Sequence, residues 1–164
     1  MFALQAARGS SAADLHAQLL EQARALLADE RDQTANAANL SSLIYHTLPE
    51  LNWAGFYWMK QGELVLGPFQ GKPACVRIAV GRGVCGTAAR DRRSIVVPDV
   101  NAFPGHIACD SASASEVVVP VIAGDRVVGV LDLDSPVRGR FDEADARALE
   151  AVVRVFLEAT DLET

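Results

Sequence analysis

The sequence lacks both a long hydrophobic run and an excess of basic charge. The apolar run 117–123 stops at Gly124 and Asp125, far short of the roughly 20 residues that a membrane span requires. A net charge of −6 opposes nucleic-acid binding. One local basic patch is interpreted as solvated surface; it contains Arg82, Arg90, Arg92 and Arg93. We therefore predict a soluble protein with neither a membrane nor a nucleic-acid partner.

The first residues contain no basic segment followed by an apolar run, so no signal peptide is expected. The three cysteines are an odd number, which disfavours a disulfide framework and indicates the reducing cytoplasm. No linker, repeat or low-complexity segment interrupts the chain. We predict a flexible tail over residues 1–10 and one domain over 11–164, which is large enough to fold without disulfide bonds.

Changes in hydrophobic period predict an α+β fold with one six-stranded antiparallel sheet and flanking helices. Ser11 begins a first helix that ends near Ala28, and a second helix is stopped by Pro49. Asp142 caps a final helix. Between them lie six strand-like runs, at 53–59, 64–69, 76–80, 94–97, 116–122 and 126–133.

Residues 81–86 match the dinucleotide-binding pattern G-x-G-x-x-G. Only about seven residues, 87–93, remain for a crossover helix, whereas a parallel connection needs about a dozen. We interpret the glycines as a tight turn from a strand into a helix. The N-terminus of that helix is expected to lower the pKa of Cys85 or to bind an anion.

The cysteines lie in glycine-rich or charged surroundings that do not favour a buried structural thiol, and Cys109 follows His106 in a turn-forming stretch. Sulfur redox chemistry uses an exposed thiolate and a second cysteine that resolves its oxidised form. Two alternatives remain open. His106 and the three cysteines could form a zinc site, although the spacing of Cys75 and Cys85 is wide for one. Each cysteine alone could also be a small buried residue, most plainly Cys85.

Acidic residues supply a second set of candidates. Glu116 opens one strand, and Asp132 and Asp134 lie two residues apart on its hairpin partner, so the three share one face of a sheet. A carboxyl group in a partly dry cleft holds its proton and can donate it, while an ionised neighbour binds an ammonium group. The alternative is a set of solvated charges. Trp53, Tyr57 and Trp58 belong to residue types that are more often part of a core than of a ligand site.

Five stretches together resemble the free methionine-R-sulfoxide reductases, which are stand-alone GAF domains. These stretches are residues 66–75, 81–86, 99–110, 115–120 and 129–135. The similarity extends from about Leu40 to Leu157, and its three spaced cysteine motifs are specific to that family. The resemblance implies a GAF-like sheet and the reduction of free L-methionine-(R)-S-oxide.

The resemblance also implies roles for individual residues. Cys109 would attack the substrate, Cys75 would resolve its sulfenic acid as a disulfide, and Cys85 would be a secondary thiol. The catalytic acids would be Glu116 and Asp134. The substrate-binding residues would be Trp53, Tyr57, Asp132, Ile107 and Ala108, the last two through backbone amides.

The same resemblance implies thioredoxin as the reductant, no metal or organic cofactor, and a possible homodimer. The alternative from another class is a GAF module that senses a small ligand or cyclic nucleotide without converting it. Such a sensor has no need for three cysteines.

Overall fold

In the computed structural model, residues 2–4 and 11–163 are described. The predicted tail therefore lies largely outside the described residues. The helices are α1 (Ala12–Leu27), α2 (Gln33–Thr47), α3 (Gly83–Asp91) and α4 (Glu143–Ala159). The strands are β1 (Trp53–Lys60), β2 (Glu63–Gly71), β3 (Arg77–Ala79), β4 (Ile95–Val97), β5 (Ser115–Ala123) and β6 (Arg126–Ser135).

The six strands form one sheet in the order β3-β2-β1-β6-β5-β4. Each neighbouring pair is antiparallel, which confirms the predicted α+β architecture. β1 and β6 lie at the centre, and the hairpin of β5 and β6 turns at Gly124, where φ is +59°. This order places the start of β1, the start of β5 and the end of β6 side by side, and these carry Trp53, Glu116 and Asp134.

The helix boundaries follow from side-chain caps. Ser11 accepts a hydrogen bond from the Asp14 backbone N–H, and Asp32 accepts one from Ala35. Asp142 and Asp145 form a reciprocal capping box at α4. The predicted starts of the first and last helices are thus confirmed. No helix within the described residues is long and apolar enough to cross a membrane.

Side-chain alternation along the strands divides the apolar residues into two clusters, one on each face of the sheet. The first cluster packs β1, β5 and β6 against α1, α2 and α4, and includes Phe56, Trp58 and Phe156. The second lies under α3 and includes Trp53, Tyr57 and Cys85. The face that α3 covers carries the candidate site.

A tight turn connects β3 to α3, as the glycine pattern predicted. The Gly81 N–H donates to the Gly86 oxygen at 2.7 Å, and Gly81 has a φ of +85°. A Cβ at Gly86 would lie 2.3 Å from the Ala79 oxygen, so only glycine fits there. The glycines are therefore needed for the backbone conformation and close contacts of this turn. The helix α3 begins at Gly83, earlier than the 87–93 segment considered for a crossover helix.

Candidate active site

The sheet brings the predicted aromatic and acidic residues together on one face. In the strand register, Trp53 lies opposite Asp134, and Asp134 lies opposite Glu116 on its other side. Asp132 precedes Asp134 by two residues and so points the same way. Tyr57, four residues after Trp53, stacks on it with ring centroids 5.8 Å apart. The prediction that the three acids line one pocket is confirmed.

Cys75 and Cys109 form a disulfide, although they are 34 residues apart in the chain. Cys75 lies between β2 and β3, and Cys109 lies in the segment 103–114, which contains neither helix nor strand. Both cysteines are half-buried. Because these two sulfur atoms are bonded to each other, the alternative considered from sequence, a zinc site of three cysteines and His106, does not assemble in this structure.

Two aromatic residues of β1 hold the segment that precedes β3. The Tyr57 hydroxyl donates a hydrogen bond to the Cys75 backbone oxygen at 3.0 Å. The Trp53 Nε1 donates to the Lys72 backbone oxygen at 3.2 Å. These side chains were predicted from the resemblance to contact the substrate. They line the cleft, and their polar atoms also fix the backbone next to Cys75.

Asn52, which the sequence analysis missed, fastens the loop that carries Cys109. Its Nδ2 donates to the Ser113 hydroxyl at 3.1 Å and to Asp110 Oδ2 at 3.3 Å. The Lys72 ammonium lies 3.9 Å from the same Asp110 oxygen. No local pattern predicts these contacts, because Asn52 precedes β1 and its partners are about sixty residues away in sequence.

Cys85 does not have the exposed setting that its sequence surroundings suggested. It lies in the first turn of α3 but is only 3% exposed. Burial, followed by the negative charges of Asp132 and Glu116, raises the pKa of its thiol. The expected lowering of its pKa by the helix N-terminus is therefore wrong: removal from water and two carboxyl groups outweigh the helix dipole.

The three acids are protonated more readily than ordinary carboxyl groups. Burial and then the charge of Asp134 raise the pKa of Glu116, and burial and then the charge of Glu116 raise the pKa of Asp132. Burial, then the charges of Asp132 and Asp110, raise the pKa of Asp134. The cluster therefore keeps its protons to higher pH than ordinary carboxyl groups do, and it can donate them inside the cleft.

His106 contacts the same cluster from the loop. Its Nε2 lies 3.4 Å from Glu116 Oε2, and burial lowers the pKa of the imidazole. Ile107 covers the start of α3, because its side-chain atoms lie 3.2 Å from the position that a Cβ on Gly83 would occupy. Loop and helix thus close the cleft opposite the sheet. Ala108 is exposed on the loop, and its predicted role in substrate binding stays a prediction.

The cleft measures about 520 Å³ including its open mouth. Its walls come from β1, β5, β6, α3, the segment 72–74 and the loop 106–113. The lining includes Trp53, Tyr57, Cys85, His106, Ile107, Cys109, Glu116, Asp132 and Asp134. Cys75 reaches it through the bond to Cys109.

Comparison with known proteins places the chain among GAF domains and their reductases. The profile described as "GAF domain" matches residues 34–157. Protein YtsP of Bacillus subtilis is 62% identical, with 80% of this chain and 82% of that protein covered. Free methionine-R-sulfoxide reductase of Escherichia coli is 50% identical, with 85% of each covered.

A solved structure agrees with both the fold and the family. The free methionine-R-sulfoxide reductase from Neisseria meningitidis, in complex with its substrate, superposes with a TM-score of 0.93 at 43% identity. The superposition covers 97% of this chain and 95% of that chain. This chain belongs to the free methionine-R-sulfoxide reductase family of GAF domains.

Proposed function

We propose that this protein reduces free L-methionine-(R)-S-oxide to methionine through Cys109. The single observation that carries the proposal is the bond between Cys109 and Cys75 at the edge of a cleft containing three proton-holding acids. An attacking thiol, a resolving thiol and a proton donor are the groups that sulfoxide reduction by cysteine requires. The relatives named for this activity support the assignment.

In the first step the Cys109 thiolate attacks the sulfoxide sulfur. Glu116 or Asp134 donates a proton to the sulfoxide oxygen, because an unprotonated oxide is too basic to depart. The sulfur–oxygen bond of the substrate breaks, and the hydroxyl group passes to Cys109 as a sulfenic acid. Methionine leaves with its sulfur reduced by two electrons, and Cys109 is oxidised by the same two electrons.

In the second step the Cys75 thiolate attacks the sulfenic sulfur of Cys109, and hydroxide leaves as water after protonation. The disulfide in the structure corresponds to this product. Thioredoxin, as the external dithiol, then reduces it by exchange and restores both thiols. A thioredoxin-dependent cycle fits the reducing cytoplasm, which we propose as its compartment.

Substrate recognition is proposed to use both the acids and the aromatic wall. The indole of Trp53 would contact the substrate methyl group, with Tyr57 beside it. Asp132 and its neighbours would bind the free ammonium group, and the backbone amides at 107–109 would bind the carboxylate. A peptide bond removes the ammonium charge, so we expect an internal methionine sulfoxide in a peptide to be a poor substrate.

The test is NADPH consumption coupled through thioredoxin and its reductase, with separate R and S epimers of free methionine sulfoxide. We expect turnover of the R epimer only. Cys109→Ser should release no methionine, whereas Cys75→Ser should release about one equivalent per chain and then stop. Full activity of Cys109→Ser overturns the proposal. Light scattering of the same sample tests the homodimer.

A further inference from the structure

Three ligand-type side chains converge in the cleft from three separate elements. The Cys85 Sγ, a Glu116 oxygen and an Asp132 oxygen all lie within 4.8 Å of one another. Cys85 belongs to α3, Glu116 to β5 and Asp132 to β6, so the cluster is held by regular structure. All three side chains are buried, with Glu116 and Asp132 each 6% exposed. Rigid elements of this kind position ligands better than loops do.

One spacing in this cluster, between Cys85 and Glu116, is close to the ligand spacing of a tetrahedral zinc site. Bonds of about 2.3 Å to sulfur and 2.0 Å to oxygen place neighbouring ligand atoms about 3.5 Å apart. The Cys85 Sγ lies 4.0 Å from Glu116 Oε1. Contraction by about half an ångström, within reach of side-chain torsions, brings the two into one coordination sphere. The open side of the cleft leaves room for a fourth, non-protein ligand.

A second observation is an acceptor without a partner. The Oδ1 atom of Asp132 is buried, and among the described residues it has no hydrogen-bond partner. A buried carboxylate oxygen left unpaired is costly, so this atom is an available ligand for a cation that enters the cleft. The ammonium group of an amino acid would satisfy it, but ammonium recognition does not need the adjacent thiol of Cys85.

We propose that Cys85, Glu116 and Asp132 form a binding site for a thiophilic divalent cation of the Zn²⁺ type, which occupies the cleft in place of substrate. The donor set combines one thiolate with two carboxylates, and zinc accepts both once the cation has displaced the protons that these buried groups hold. It differs from the set of three cysteines and a histidine considered from sequence. Only the competition with substrate rests on the proposed function. Cation binding itself stands on the three side chains.

The experiment uses the disulfide-closed protein, in which Cys85 is the remaining free thiol. Co²⁺ is titrated into it, and thiolate-to-cobalt charge-transfer absorption is followed in the near ultraviolet. We expect one Co²⁺ per chain and displacement by Zn²⁺. Free methionine sulfoxide, which the oxidised protein cannot reduce, should raise the apparent dissociation constant. Because this readout involves no turnover, failure of the metal site and failure of the reductase activity are distinguishable.

Matched variants separate the site from general metal uptake. Cys85→Ser should lose the charge-transfer band, and Asp132→Asn should weaken binding about tenfold or more. Glu158→Gln, an exposed acid on α4, should bind like the parent protein. Circular dichroism shows whether each variant is folded; should Cys85→Ser be unfolded, Asp132→Asn alone decides. An absent band in the parent protein, or a band that persists in Cys85→Ser, overturns the proposed cation site. Cation binding that is indifferent to methionine sulfoxide overturns the competition with substrate and leaves the cation site standing.

Discussion

The hydroxyl of Tyr57 donates a hydrogen bond to the backbone oxygen of Cys75 at 3.0 Å. This bond joins the centre of the sheet to the segment that carries half of the disulfide. From its position we propose that Tyr57 helps to present Cys75, the proposed resolving cysteine, beside any contact with substrate. The ring remains in place when the hydroxyl is removed, so the two roles are separable.

Tyr57→Phe should slow disulfide formation while leaving the first methionine release nearly unchanged. One hydrogen bond contributes about 1 kcal/mol, which corresponds to about a fivefold change in the rate of the resolving step. Rapid-quench measurement of methionine and of free thiol separates the two steps. Tyr45→Phe, on α2, is the control. Equal slowing of both steps in Tyr57→Phe would instead indicate a substrate contact.

Asn52→Ala should loosen the loop that carries Cys109, because Asn52 holds both Asp110 and Ser113. We expect faster hydrogen exchange over residues 106–113 and a fall in kcat/KM of about tenfold, since misplacing a catalytic group is costly. Asn101→Ala, an exposed asparagine, is the control. Unchanged hydrogen exchange and activity in Asn52→Ala would show that the Asn52 hydrogen bonds do not hold this loop in place.

Gly83→Ala should impair reduction more than its backbone strain explains. Gly83 has a φ of +59°, and its new Cβ would lie 3.2 Å from Ile107 on the loop that carries Cys109. Gly124 has the same φ but nothing within 4 Å of the equivalent position. Both alanine variants should lose about 1–2 kcal/mol of unfolding free energy. Only Gly83→Ala should lower kcat/KM; a similar fall in Gly124→Ala would point to strain alone.

The pH dependence of stability should report the buried acids. Because burial raises the pKa of Glu116 above its ordinary value of 4.5, the folded state binds the proton more tightly than the unfolded state. Its contribution is therefore complete below the ordinary pKa and is lost as pH rises through the raised value. Glu116→Gln cannot ionise and should show a flatter decline of unfolding free energy with pH.

Urea unfolding at a series of pH values from about 4 upward measures this slope. Glu158→Gln, at an exposed position, should keep the slope of the parent protein. If Glu116→Gln and the parent protein decline in parallel, the Glu116 carboxyl does not hold its proton in the folded state.

Local patterns predicted the sheet, the caps and the face shared by the acids. Period-two alternation is enough to place Asp132 and Asp134 together, and hairpin pairing adds Glu116. The surroundings of Cys85 were not predictable in this way. Its burial depends on α3 packing against the sheet, whereas the helix dipole arises from the neighbouring residues in the chain alone.

The contacts of Asn52 and of the Tyr57 hydroxyl escaped the sequence analysis for a related reason. Each joins a residue in β1 or directly before it to an irregular segment later in the chain, and loops follow no hydrophobic period. The pairing of Cys75 with Cys109 came from the resemblance to a family, since cysteine spacing alone left several alternatives open. The structure confirms that pairing.

The state of the three thiols after a single turnover shows whether Cys109 and Cys75 act as proposed. The fully reduced protein is mixed with one equivalent of free L-methionine-(R)-S-oxide without thioredoxin, and then alkylated, digested and analysed by mass spectrometry. We predict about one methionine released per chain, a cross-link between the peptides of Cys75 and Cys109, and alkylated Cys85. Methionine release with Cys75 still alkylated, or no release at all, would contradict the account.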